Sequence, residues 1–219
     1  MKVLLFGATG MVGQGVLREC LLDSGVERVM AVGRTGTGRH EPKLGELVVP
    51  EVANLGRIEG DLAGYDACFF CLGVSSIGMP EARYTQLTYD LTLSVARTVV
   101  GCNPGLTFVY VSGAGTDSSE RGRSMWARVK GRTENELLRL PFKAAYMFRP
   151  GAILPLHGVR SKTRWIRWLY ALVAPIAPGW QALFPNTITT TEQIGRAMLR
   201  VARDGYRTRI LETRDINRL

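Results

Sequence analysis

Cysteine is sparse in this chain. Cys20, Cys68, Cys71 and Cys102 are four in 219 residues, and they fit no disulfide framework of a small secreted domain. Cys68 and Cys71 have C-x-x-C spacing, but inside the apolar run ACFFCLG, which reads as a buried strand. A zinc site of that spacing needs a second ligand pair; none is present, so no metal is expected and the thiols read as buried. Long unbroken apolar runs are also missing. The stretch 160–180 is interrupted by Arg167, Pro175 and Pro178, short of the roughly 20 apolar residues of a membrane-crossing helix. No internal repeat, low-complexity tract or signal peptide stands out, because an apolar strand begins at Val3. A cytoplasmic location is the default expectation.

What is present is an ordinary globular composition, 46% hydrophobic and 21% charged, enough for a core. The length suits one α/β domain, taken as 1–219, with an elaboration. The formal net charge of +9 favours anionic partners: a phosphorylated cofactor, an acidic substrate, a membrane surface or nucleic acid. It is equally compatible with a basic surface that serves no particular partner.

Periodicity supplies the architecture. Val3–Phe6 is a continuous apolar run, as in a strand buried on both faces, and Val12, Val16, Leu17 and Cys20 then recur at helical spacing up to Ser24-Gly25. Further strands are predicted at Val29–Val32, Leu47–Val49, Ala67–Leu72, Leu106–Val111 and Ala145–Phe148, with a basic loop at 35–45. Helices are predicted over Tyr84–Val100 and about Ser124–Leu140, the latter with Trp126, Val129, Leu137 and Leu138 facing inward. Thr189-Thr190-Thr191-Glu192 offers a capping box for a helix to about Arg203, and a short strand around Ile210 closes the chain. Strands alternating with helices predict a Rossmann-like, doubly wound parallel sheet of the α/β class.

Between the first strand and the first helix stands Gly7-Ala8-Thr9-Gly10-Met11-Val12-Gly13, a GxxGxxG turn. Glycines let the backbone approach a pyrophosphate closely, and the helix N-terminus presents free N–H groups and the positive end of its dipole. Gly7, Thr9, Gly10, Met11, Val12 and Gly13 are therefore the expected phosphate cradle. An NAD site usually places Asp or Glu at the end of the second strand for the ribose 2′-hydroxyl. Here Arg34 stands in that position, with Arg39 nearby. A guanidinium pairs with a 2′-phosphate, so NADP is expected in preference to NAD.

With GATGMVG, CLGVSS after the fourth strand, VSGAG after the fifth, RVKG in the next helix and FRPG after the sixth, the chain resembles the short-chain dehydrogenase/reductase superfamily. The likeness is to its atypical, epimerase/dehydratase-like branch, near the Tat-interacting oxidoreductase group, and it runs from Met1 to about Gly151 and more faintly beyond. The resemblance implies that Leu72 and Gly73 pass along the cofactor, and that Ser112 holds a substrate carbonyl. It further implies that Lys130 holds the nicotinamide ribose and that Pro150 and Gly151 lie against the nicotinamide. Ser112 and Lys130 are thus the expected catalytic residues. The family's catalytic tyrosine sits four places before the lysine; this chain has Trp126 there, and an indole has no phenolic proton to give. Two functions follow as expectations: an NADP-linked oxidoreductase of a small-molecule substrate, or a non-catalytic NADP(H)-binding sensor or scaffold. Tyr84, Tyr89, Asp117 and His157 are the other candidate proton donors, none with a motif around it.

Residues 152–188 read as a cap over the substrate pocket, its basic and tryptophan-rich middle suiting a hydrophobic substrate with a basic rim. Peripheral membrane contact through 160–180 is the less favoured reading of the same residues. Arg121, Arg123, Arg128, Lys130 and Arg132 cluster without a nucleic-acid fold or stacking platform, and no nucleic-acid partner is expected.

Overall fold

The structure, a computed structural model, describes residues 1–159 and 187–219. Most of the expected cap, and all of the stretch weighed for membrane contact, lie outside the described residues. The strands are β1 (Lys2–Phe6), β2 (Arg28–Gly33), β3 (Leu44–Val48), β4 (Ala67–Phe70), β5 (Thr107–Val111), β6 (Ala144–Arg149), β7 (Ala152–Leu154), β8 (Ile188–Thr190) and β9 (Ile210–Glu212). The helices are α1 (Met11–Leu22), α2 (Glu81–Thr85), α3 (Leu91–Cys102), α4 (Met125–Arg139), α5 (Thr191–Asp204) and α6 (Thr213–Ile216). Seven strands form one sheet in the order β3-β2-β1-β4-β5-β6-β9, every neighbouring pair parallel, and β7 and β8 form a separate parallel pair.

The alternation along β1 divides the core. Val3 and Leu5 face a cluster completed by Val16, Leu17 and Cys20 of α1 and Ile194 and Met198 of α5. Leu4 and Phe6 face the other way, onto Leu93, Val95 and Val99 of α3 and Leu137 of α4. Both faces are covered by helices, so β1 reads as an unbroken apolar run. Phe6, Phe70, Phe108 and Phe142 carry a row of rings across the second face, with successive centroids 5.8, 6.0 and 4.9 Å apart.

Three local expectations are revised. The single helix expected over Tyr84–Val100 begins at Glu81 and contains a π-helical turn, Gln86–Asp90, where it packs on α4; such turns are set by tertiary packing and leave no mark on an apolar periodicity. Strand β3 begins at Leu44 rather than Leu47, because Leu44–Gly45 already pairs in register with Val29–Met30. Leu138 faces solvent, whereas Val129 and Leu137 are buried and Trp126 is half-buried. The cap of α5 is Thr190, whose hydroxyl accepts from the Gln193 N–H at 3.0 Å.

Candidate functional site

The expected site residues all sit at the carboxyl edge of the sheet, where strand order reverses between β1 and β4 and the fold opens a crevice. In the first half of this edge the backbone makes the geometry. Gly7 has φ +87°, and a Cβ there would stand 2.8 Å from the backbone of Cys71 and Leu72. A Cβ on Gly13 would stand 2.0 Å from the Gly7 carbonyl oxygen, so the first turn of α1 packs directly on the glycine turn. Gly10 caps the helix from an extended conformation, with its N–H on Gly7 O at 2.9 Å and its carbonyl accepting from Gln14 N–H at 2.8 Å. The N–H groups at Met11 and Val12 precede the first intrahelical bond and remain available to an anion.

Gly7, Thr9, Arg34, Thr37, Glu46 and Leu72 share one cleft of about 320 Å³. The β2–β3 crossover that walls it is a loop. Glu46 of β3 holds that loop, its carboxylate accepting from the Thr37 N–H at 2.7 Å and from the Thr37 hydroxyl. These bonds hold the Glu46 carboxyl below its ordinary range. Arg39 lines an adjoining groove with Thr9, Gln14 and Thr35. The cradle's close backbone approaches and free helix N-terminus, next to a cleft that Arg34 lines, fit a dinucleotide. Glu46 was not foreseen; a lone acidic residue in the run LGELVV was its only sign.

In the second half side chains make the geometry. Ser112 follows β5, and both its N–H (2.8 Å) and its hydroxyl (3.1 Å) point to Phe148 O of β6. Ala114 N–H donates to Pro150 O at 2.8 Å, which stitches the loops after β5 and β6 together, and Gly151 N–H donates to the Thr213 hydroxyl of α6 at 2.8 Å. Lys130 Nζ donates to Ser112 O. A Cβ on Gly131 would meet Asp117 O at 1.8 Å, which shows how tightly α4 lies on the β5 loop. Ser112, Lys130, Pro150 and Gly151 are thus brought together, while Leu72 borders the cradle; a Cβ on Gly73, the next residue, would face open space.

Trp126 stands one turn before Lys130, its ring edge 3.6 Å from where a Gly115 Cβ would be. The other candidate donors are engaged elsewhere. Tyr84 is buried and burial pushes its phenol up. Tyr89 lies under the Arg132 guanidinium, 4.2 Å from ring centroid to Cζ. Asp117 accepts from Ser119 and Gly122 and is held below its ordinary range by those bonds. His157 binds Glu192. A feature that sequence reading missed is the pair Arg149–Glu134. Glu134 is fully buried and accepts from Arg149 Nε at 3.1 Å on each oxygen, and from Nη2 as well. Its sequence signal was slight: a carboxylate four places after Lys130.

No family model matches the chain. It is 30% identical to the protein FMP52, mitochondrial, of Eremothecium gossypii over 158 residues, which are 70% of this chain and 67% of that one. The chain belongs to the atypical short-chain dehydrogenase/reductase family. Within that family it is also 25% identical to HTATIP2 of Rattus norvegicus over 203 residues, 90% of this chain and 79% of that one. Among solved structures, the Bordetella bronchiseptica enzyme WbmF in complex with NAD+ superposes with a TM-score of 0.68 at 16% identity, covering 99% of this chain and 76% of that one. That likeness shows the fold, which is the Rossmann-like, dehydrogenase-type fold of the family. The expectation of a cytoplasmic location is corrected by these relatives, several of which are named mitochondrial. The expectation had rested on the lack of a recognisable leader, which is not evidence of a compartment.

Proposed function

We propose that this chain is an NADP-linked oxidoreductase of the atypical short-chain type, acting on a small, hydrophobic, carbonyl-like substrate. The observation that carries it is the cleft that Gly7, Ala8 and Thr9 of the cradle share with Arg34, with no acidic residue at the end of β2. Gly7, Thr9, Gly10, Met11, Val12 and Gly13 hold the pyrophosphate, Arg34 the 2′-phosphate, Leu72 and Gly73 pass along the ribose and phosphates, and Pro150 and Gly151 flank the nicotinamide. The reduced cofactor, when bound, supplies two electrons and a carbon-bound hydrogen. Ser112 orients the substrate carbonyl once its hydroxyl turns from Phe148 O, and Lys130 orients the ribose. Val74 and Ile77, exposed on the loop after β4, support an apolar substrate; so does the tryptophan-rich composition of 160–180. Fluorescence titration with NADPH and NADH tests the reading. NADPH binding that Arg34→Ala weakens by about tenfold or more, a loss of ~1.4 kcal/mol, with NADH unaffected, is the expected result; equal binding of both nucleotides removes the NADP assignment.

Trp126 favours a second reading, an NADP(H)-binding sensor or scaffold without turnover. Carbonyl reduction that appears only in Trp126→Tyr, from a silent parent, is the outcome that reading requires; turnover in the parent ends it.

A further inference from the structure

We propose that Lys130 is itself the proton donor of this site, its Nζ giving to the substrate oxygen the proton that a phenol gives elsewhere in the family. The inference rests on the oxidoreductase reading above. The phenol's place holds an indole, Tyr84 is buried, and Tyr89, Asp117 and His157 are each committed to other contacts. Lys130 Nζ, by contrast, stands on the main-chain oxygen of Ser112, the residue expected to hold the carbonyl.

What makes Lys130 fit for the task is a missing counter-ion. The carboxylate one turn further along α4 is Glu134, and Arg149 from β6 occupies both of its oxygens. Arg149 is tied in turn to Ser118 Oγ at 2.5 Å and Glu212 at 3.4 Å, so it is fixed from three sides. Around α4, Glu81 of α2 pairs with Arg128, Arg132 covers Tyr89 of the π turn, and Asp90 there is exposed. The phenols of Tyr84 and Tyr110 are buried and pushed up, hence neutral. Among the described residues no carboxylate pairs with Lys130. A half-buried ammonium without a paired counter-ion releases its proton more readily; burial lowers Lys130 to about 8, against a partial opposing pull from Glu134.

The step balances simply. In reduction one N–H bond of the Lys130 ammonium breaks and one O–H bond forms on the substrate oxygen, leaving a neutral amine. The two electrons and the carbon-bound hydrogen come from the reduced nicotinamide dinucleotide, and the amine recovers its proton from water. Arginine at 130 keeps the charge but has no proton to give near neutral pH.

The test is a Nζ NMR titration of the full chain, whose five lysines (Lys2, Lys43, Lys130, Lys143 and Lys162) make assignment by Lys130→Arg direct. One lysine titrating near pH 8 and vanishing in Lys130→Arg supports the proposal. In Arg149→Met, Glu134 is released and the same signal moves up by about one pH unit or more; Glu134→Gln, which leaves no carboxylate to release, does not move it up. A Lys130 that titrates above pH 10 overturns the donor role, even if either Arg149 or Glu134 variant fails to fold. NADPH fluorescence titration of the same samples separates the two ideas. Absence of NADPH binding overturns the oxidoreductase reading and the donor role with it; binding with an ordinary lysine titration overturns the donor role alone. With NADPH at saturation for each protein and 4-nitrobenzaldehyde as the probe, oxidation that falls about 100-fold or more in Lys130→Arg is the expected result. Oxidation that is equal in both, or absent in the parent, overturns it.

Discussion

The two halves of the sheet's carboxyl edge hold their geometry by different means. Around β1, α1 and β2 the shape is in the backbone: a positive φ at Gly7, carbonyls and amides in contact where a Cβ would not fit, and a first helical turn packed on the glycine turn. Around β5, α4 and β6 it is in side chains: Lys130 on Ser112, Glu134 on Arg149, Trp126 over Gly115. A backbone-built site serves whatever ligand has the right phosphates. A side-chain-built site can keep its frame while one substitution changes its chemistry, and the proposals above place such a change at Trp126.

The comparison breaks most visibly at the buried ion pair. Glu134→Gln leaves Arg149 nine-tenths buried with its main partner gone, and urea denaturation should show a loss of about 3–5 kcal/mol. Replacing both, as Glu134→Leu with Arg149→Met, should recover most of that loss, because removal of two buried charges also removes their desolvation cost. A single-variant loss below about 1 kcal/mol would mean that the second half, like the first, is held by its backbone.

The matching experiment in the first half is Gly13→Ala. The new methyl would stand 2.0 Å from the Gly7 carbonyl oxygen, and no flexible side chain is there to give way. A stability loss of about 1–3 kcal/mol and a loss of NADPH affinity of about tenfold or more, ~1.4 kcal/mol, are expected from denaturation and fluorescence titration. Unchanged affinity would show that the cradle does not touch the cofactor.

This contrast also explains what the sequence made legible. β1, β2, β4, β5, β6, α1 and α5 were readable because strands buried on both faces are unbroken apolar runs and their helices carry a clean period. The tight turn at Gly7–Gly13 was readable because glycine spacing is itself the geometry. The π turn Gln86–Asp90 was hidden, since it is decided by what α4 presses against it. So were the β7–β8 pair, which joins segments more than 30 residues apart, and the Arg149–Glu134 pair, whose members come from different elements. Trp126 one turn before Lys130 could be read from the sequence; that Arg149 takes up both oxygens of Glu134 could not, because competition for a counter-ion exists only in three dimensions.

A smaller effect sharpens the electrostatic side of the second half. Lys130 is lowered from 10.5 to about 8 by burial, so between those values the unfolded chain binds more protons than the folded one. Stability therefore rises with pH across that window, and the penalty of burying the ammonium is fully present below about 8. Lys130→Met removes the charge but also its bond to Ser112 O. The variant should be more stable than the parent by on the order of 1–2 kcal/mol at pH 7, with the difference fading by pH 10.5. Paired urea melts across that range read it directly; a pH-independent difference would mean that the lysine is not desolvated.

The smallest effect belongs to the first half, at Glu46. Its carboxylate holds Thr37 over the cleft and is kept below its ordinary range by those bonds. A carboxyl lowered in the folded state contributes stability that is present above its ordinary pKa and lost as pH falls through the lower, folded value. Nothing in that titration reaches pH 6–8, so Glu46 should add no pH dependence to NADPH affinity there. Glu46→Gln keeps one acceptor for Thr37 and removes a negative charge from the cleft that Arg34 shares. NADPH should bind about two- to threefold tighter, ~0.5 kcal/mol as expected of an exposed, screened charge, and NADH should not change. Weaker NADPH binding in the variant would show instead that the loop latch outweighs the charge. The order at the adenosine end would then depend on a side chain after all, and the division between the two halves would hold only for the pyrophosphate turn.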